Sequence, residues 1–339
     1  MYLEHYGLND FPFRLTPDTD YLYMSSAHSR ALAYMEYAIF NREGFVVVTG
    51  EIGSGKTTLV KKLLNDLSDN IVVAKIFQTQ LDEVELLQAI LVEFGLNPFT
   101  AKKVELLNMI NQFLIDSYNE GRQVLLIIDD AQNLNKRVLE EITMLSGVET
   151  QKEKILHVIL VGQPELNYKL ESSDMEQLLQ RISLRYHVRA LAEDEVNEYI
   201  AHRLAVAGVE SSIITDDLYA KIHEYTGGIP RLINTLCDKI LTCGYADDKS
   251  ILDMSDFKNA IAELQWKPYK QASPDNHNQQ YEGNDNLYQH PVSNDDASSV
   301  NIGELKEMLL GSYSTISSRA LVEISLQLKR IADHLENKK

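Results

Sequence analysis

Residues 45–57 read Phe-Val-Val-Val-Thr-Gly-Glu-Ile-Gly-Ser-Gly-Lys-Thr, a β-branched run that breaks at Gly50 and closes on Lys56-Thr57. The second half fits G-x-x-x-x-G-K-[ST], a loop whose backbone N–H groups curl around phosphates. The surroundings suit that reading. An apolar strand enters the loop, and Thr57–Leu67 leaves it as a helix whose N-terminal dipole favours an anion. Gly50, Glu51, Ile52, Gly53, Ser54, Gly55, Lys56, Thr57 and Thr58 are therefore the expected triphosphate cradle. Lys56 is expected against the β/γ-phosphates, with the Thr57 hydroxyl on Mg2+.

Four more apolar runs follow: IVVAKIF (71–77), VLLIIDDA (124–131), LHVILVGQ (156–163) and the weaker LRYHV (184–188). Near-continuous runs of this kind suit parallel strands buried on both faces. Helical patterns fill the gaps at Thr57–Leu67, Glu83–Phe94, Ala101–Tyr118 and Lys136–Glu149. Strand–helix alternation predicts an α/β fold with a parallel sheet over 45–191. From Ala192 to about Gln265 the strand signal stops, and helices at 193–207, 215–225, 230–246 and 255–265 predict a small all-α domain, 192–266. Residues 1–44 are aromatic-rich, turn helical near Ala27, and are expected to pack on the ATPase core.

Residues 267–300 hold almost no aliphatic side chains and many Asn, Asp, Gln and Ser, which predicts a disordered linker. Within 301–339, Leu321, Ile324, Leu328, Ile331 and Leu335 fall at spacings of 3, 4, 3 and 4, an apolar seam on a helix. That helix is expected to dock on its own chain or to hold a partner.

A metal bound by one hydroxyl needs a second oxygen ligand. VLLIIDD supplies it, a hydrophobic strand ending in Asp129 at the sheet's C-terminal edge. Asp130 follows, where a carboxylate can activate water or simply begin a helix. Gln163, ending another strand, can orient water and sense the γ-phosphate, or only satisfy backbone groups. Arg231, in GGIPRLIN, opens a helix of the small domain and can swing onto a nucleotide. Arg181 and Arg185, in QRISLRYHV, can reach a neighbouring subunit's γ-phosphate or serve as plain surface charges.

The composition bounds the reading. Over 339 residues, 32 Lys+Arg stand against 50 Asp+Glu, a net charge of −18, and 44% of residues are hydrophobic. Such acidity argues against coating nucleic acid by bulk attraction, though not against a local basic patch. Cys237 and Cys243 have no metal-ligand spacing and read as ordinary thiols. The first residues, MYLEHYGLNDFPFRLTPD, lack a basic start and an apolar core, so no signal peptide is expected. No run approaches the roughly 20 apolar residues that span a bilayer. A soluble cytoplasmic protein is the expectation.

Taken together, the segments resemble the ExeA/GspA-type AAA+ ATPases. The resemblance runs from Met1 to about Gln265 and rests on YGL…PF.LTPD (6–18), the spaced Ser25, His28, Ala31 and Leu32, LEEITMLSGVET (139–150), VGQPEL (161–166), YIAHRLAVAG (199–208) and TGGIPRLINTLCD (226–238). It implies a five-stranded P-loop AAA+ core with a helical lid, ATP and Mg2+ between them, and ATP-dependent homo-oligomers. It would make Gln163 the sensor-1 residue, Arg231 sensor 2, and Arg181 or Arg185 the arginine finger. Relatives serve type II secretion, MSHA-type pili and exopolysaccharide systems, which implies a partner in envelope machinery. Two residues depart from the family pattern: Asp130 where glutamate is usual, and Gly147 where asparagine is expected. An aspartate is one methylene shorter, which implies slow, switch-like hydrolysis. Two other readings share the same motor: a DNA-binding regulator of transposition type, and a nucleotide-switched scaffold with little hydrolysis.

Overall fold

A computed structural model describes residues 2–40, 44–77, 79–98, 102–149, 153–209 and 213–269. Five strands form the sheet: β1 Phe45–Gly50, β2 Ile71–Ile76, β3 Gln123–Ile128, β4 Leu156–Gly162 and β5 Ile182–Val188. All neighbours run parallel in the order β2-β3-β4-β1-β5. Every residue of β1 and β4 is buried. Phe45, Val47, Leu126, Ile128, Val158 and Leu160 face one layer of helices, while Val46, Val48, Leu125, Ile127, Ile159 and Val161 face the other. The period of two sends alternate side chains to opposite faces, and both faces are covered, so the sequence shows unbroken apolar runs.

The α-helices among the described residues are α1 Tyr2–Tyr6, α2 Ser26–Phe40, α3 Lys56–Asp66, α4 Glu83–Glu93, α5 Lys103–Asn119, α6 Lys136–Leu145, α7 Glu165–Leu170, α8 Glu176–Leu179, α9 Glu193–Val206, α10 Asp217–Thr226, α11 Pro230–Ala246 and α12 Met254–Leu264. Helices α4, α5 and α6 cover one face of the sheet; α2 and α3 cover the other. Local chemistry sets several boundaries. Asp82 caps α4 by accepting from Val84 and Glu85 N–H at 2.8 Å, and Glu85 reaches back to Asp82 N–H at 2.9 Å. Helix α10 stops at Gly227, with φ 58°, and Pro230 opens α11. Helix α6 is shorter than its sequence pattern: it ends at Leu145, and Glu149 then bridges to Lys154.

Within the N-terminal segment, residues 2–21 pack chiefly on the helical lid. Tyr2, Tyr6, Leu8, Phe13 and Tyr21 are buried with Val196, Tyr199, Leu236, Ile240 and Leu252 in the core of the helical lid. Tyr2 Oη donates to Asp238 at 2.6 Å, and Asn9 N–H donates to Ala207 O at 2.7 Å. Aromatic side chains need a deep partner surface, and the lid supplies one that the sheet, already covered, does not. Leu22, Met24 and α2, the last through Ala31, Met35, Ala38 and Ile39, join the α/β core.

At the other end Trp266 packs on the lid cluster, and Tyr269 N–H donates to Glu224 O at 3.0 Å. The rest of the expected linker and the apolar seam at 321–335 lie outside the described residues. Among the described residues no helix is long and apolar enough to cross a membrane.

Candidate nucleotide-binding site

A cleft opens where β1 and β3 end, between the α/β core and the lid. Ligands in doubly wound sheets gather at such carboxyl edges. Its floor is the loop 50–56. Gly53 has φ 81°, and a Cβ there would stand 2.4 Å from Arg231 Cβ, so the lid approaches closer than any side chain at 53 allows. Arg231 N–H donates to Gly53 O at 3.2 Å, which joins the first turn of α11 to the loop.

Lys56 is 8% exposed, and its Nζ donates to Gly50 O at 2.8 Å and Glu51 O at 2.9 Å. An ammonium has three donors, so one remains for a phosphate oxygen. Burial lowers the Lys56 pKa from its ordinary value, and the carboxylates of Asp129, Asp130, Glu51 and Glu165 oppose that shift. Thr57 Oγ1 donates to Asp129 Oδ2 at 2.7 Å. Burial raises the Asp129 pKa, while the bonds from Thr57 and from Asp130 N–H pull it down. A buried carboxylate beside a hydroxyl is a pair of hard oxygen donors. Among the described residues no cluster of three His, Cys, Asp or Glu side chains can hold a metal. The Thr57–Asp129 pair fits Mg2+, which binds through one or two protein oxygens and takes the rest from water and phosphates. Bound there through Thr57 and Asp129, it would neutralise phosphate charge.

Asp130 and Gln163 line the same cleft, and so do Ile52, Gly53, Gly55, Thr58 and Arg231. Gly50, Glu51 and Ser54 complete the loop. Arg181 and Arg185 lie elsewhere. Arg181 Nη1 donates to Thr143 O at 2.9 Å and Ser146 Oγ at 3.2 Å, at the carbonyl-rich end of α6. A Cβ at Gly147 would stand 3.2 Å from that same nitrogen. Arg185 pairs with Glu171 at 3.4 Å.

Several contributors had no assigned role in the sequence reading. His28, 3% exposed, donates from Nε2 to Ser54 O at 2.8 Å and accepts from Ser25 Oγ at Nδ1, 2.7 Å away. The carbonyl can only accept, which fixes the tautomer, and burial lowers the imidazole pKa so the ring stays neutral. The Ser25/His28 spacing was visible; its meaning was not. Residues 14–18 form one wall of the cleft, with Leu15 and Ile52 more than half exposed beside it. Arg203 of α9 fastens that wall to the lid: it donates to Pro12 O, to Arg14 O at 3.4 Å and to Tyr199 Oη at 3.1 Å, and its guanidinium lies 5.0 Å from the Tyr21 ring centre.

A parallel five-stranded sheet with a phosphate loop after β1, an acidic strand end at β3 and a helical lid over both defines a P-loop protein of the AAA+ class. A family model described as an AAA domain matches residues 40–170. General secretion pathway protein A of Aeromonas hydrophila is 40% identical over 247 residues, 73% of this chain and 45% of that protein. The chain thus spans less than half the length of this relative. Among solved structures, the ORC2 protein of Aeropyrum pernix superposes with a TM-score of 0.56 at 16% identity, covering 77% of this chain and 73% of that one. CDC6P from Pyrobaculum aerophilum gives 0.55 at 15% identity, covering 77% and 71%. At such identities these two speak to the fold alone. The chain belongs to the AAA+ ATPase family, on its branch of general secretion pathway protein A type.

Proposed function

We propose that the protein binds ATP with Mg2+, hydrolyses it slowly, assembles into homo-oligomers when ATP is bound, and uses that cycle to drive or regulate assembly of a cell-envelope export system. The single observation that carries the nucleotide part is the convergence of Lys56 with the 2.7 Å Thr57–Asp129 pair, beneath a lid bonded to the same loop through Arg231. Lys56 and the loop N–H groups hold the triphosphate, Thr57 and Asp129 hold the metal, and Leu15 and Ile52 flank a planar base. Asp130 orients the attacking water and Gln163 faces the γ-phosphate. Arg231 reports occupancy to the lid. Arg181 or Arg185 acts on the nucleotide of a neighbouring subunit. The envelope role rests on the likeness to general secretion pathway protein A and covers only the part shared with it. Its setting in this reading is the cytoplasmic side of the inner membrane.

The test pairs light scattering, with and without a slowly hydrolysed ATP analogue and Mg2+, with phosphate release. Wild type, Lys56→Ala and Asp130→Glu are compared. Assembly on analogue, turnover below about one per second, faster turnover in Asp130→Glu and loss of both in Lys56→Ala are expected. Assembly with no turnover in wild type or Asp130→Glu turns the reading to a nucleotide-switched scaffold. No assembly on analogue sinks the oligomer cycle.

A further inference from the structure

After β3 the chain passes Asp129 and reverses at Asp130, a non-glycine residue at φ 53°. Left-handed backbone costs about 1–2 kcal/mol for an L-residue, so something must hold it. Its N–H donates to Asp129 Oδ1 at 2.9 Å. Its carboxylate Oδ1 accepts from Gln132 Nε2 at 3.1 Å. The other end of that amide, Gln132 Oε1, accepts from Gln163 N–H at 3.0 Å. Gln132 is 9% exposed, and its amide links the Asp130 carboxylate at the end of β3 to the residue that follows β4.

The orientation of this amide is fixed on both sides, because a carboxylate only accepts and a backbone N–H only donates. The space is fixed as well. A Cβ at Gly162 would stand 3.0 Å from Gln132 Oε1 and 3.0 Å from Leu166 Cδ2. From α7, Lys169 Nζ donates to Leu134 O at 2.9 Å and to Gln132 O, which clamps the turn 131–134 to the helix that follows Gln163.

We infer that Gln132 is a positioning residue that ties the Asp130 carboxylate to the backbone at Gln163, so that the aim of one follows the place of the other. A shift of Gln163 toward a γ-phosphate moves its N–H, and the amide carries that movement to Asp130. The catalytic half of this inference rests on the hydrolytic reading above; the mechanical half does not.

The experiment uses the full chain with Gln132→Met, Gln132→Glu and Asp130→Ala. It reads amide hydrogen exchange at Gln163 and steady-state phosphate release, with thermal unfolding as the check on folding. Gln132→Met removes both bonds. Exchange at Gln163 is expected to rise about ten-fold, and kcat to fall about ten-fold with KM within about two-fold, the scale of one hydrogen bond to a charged group. Gln132→Glu keeps an acceptor for Gln163 but sets a carboxylate against Asp130, so exchange at Gln163 is expected to rise less than in Gln132→Met while kcat falls. Asp130→Ala removes the far anchor and is expected to raise exchange at Gln163. If Asp130→Ala leaves that exchange unchanged, the coupling is absent and the inference is overturned. It is also overturned if both Gln132 variants keep wild-type kcat. A wild type that releases no phosphate yet shows the exchange coupling removes the hydrolytic reading and leaves the mechanical link standing.

Discussion

Lys56 and Asp129 are both buried, and burial moves their pKa values toward each other. The native state holds the Asp129 proton to a higher pH than the unfolded chain does. Stability from this group therefore falls as pH rises from the ordinary carboxylate value through the raised one. Above that window the ionised carboxylate is a burden until a cation arrives. Asp129→Asn should therefore unfold at a higher temperature than wild type near neutral pH without nucleotide, and should lose the added protection given by Mg2+ and ATP. A thermal scan of both proteins with and without the pair decides it. His28 works in the opposite sense. Its folded pKa lies below about 6.5, so the unfolded chain takes the proton first and stability is lost as pH falls below that value. His202 shifts the same way, also chiefly by burial. The melting temperature should drop between about pH 7 and 5.5, and His28→Gln, which keeps a donor for Ser54 O, should flatten that drop. At this scale the cleft was partly legible. Lys56, Thr57, Asp129, Asp130, Gln163 and Arg231 stand at strand ends and helix starts that spacing locates. His28 and Arg203 were not legible in role, because their partners are backbone carbonyls of Ser54, Pro12 and Arg14, which carry no side-chain signature.

Except at the ends of β3 and α6, the strands and long helices could be read to within a residue or two, because burial on both faces leaves a continuous apolar run. Helices α1, α7 and α8 span four to six residues, too short for periodicity to mark. The partner of residues 2–23 was hidden for another reason: aromatic richness declares that a segment packs, not where. Arg203 is the fastening of that segment. Arg203→Met leaves the buried Pro12 carbonyl without its donor and should lower unfolding free energy by about 1–3 kcal/mol. It should also weaken nucleotide binding, because the wall 14–18 is no longer held; Arg203→Lys should recover only part of each loss. Urea unfolding and a fluorescent-nucleotide titration measure the two, and unchanged values in both would falsify the fastening role. Gly53→Ala tests the opposite wall. The added methyl meets Arg231, so nucleotide affinity should fall sharply while the sheet, remote from the loop's upper face, unfolds nearly as before.

For the whole molecule, the net charge of −18 gives a discriminating expectation. Copies that must associate repel one another, and screening shortens that repulsion from about 30 Å at 10 mM salt to about 8 Å at 150 mM. ATP-dependent assembly should therefore strengthen across this range, whereas a filament held together by DNA phosphates should weaken. Light scattering along a salt series separates the two. The path of the chain carries a different consequence. Tyr2, Tyr6, Leu8, Phe13 and Tyr21 sit in the lid, α2 crosses to the sheet, and the chain returns to the lid only after β5. During synthesis Tyr2 waits for Asp238, and Tyr6 for the carbonyl of Leu241, more than two hundred residues later. At about 5–20 residues per second, that is some tens of seconds on the ribosome with five tyrosine, leucine and phenylalanine side chains uncovered. The sheet can close during that interval; the lid cannot. Residues 2–21 are thus made long before the lid they belong to and are among the last to find their place, and it is there that the nascent chain is open to capture by a chaperone.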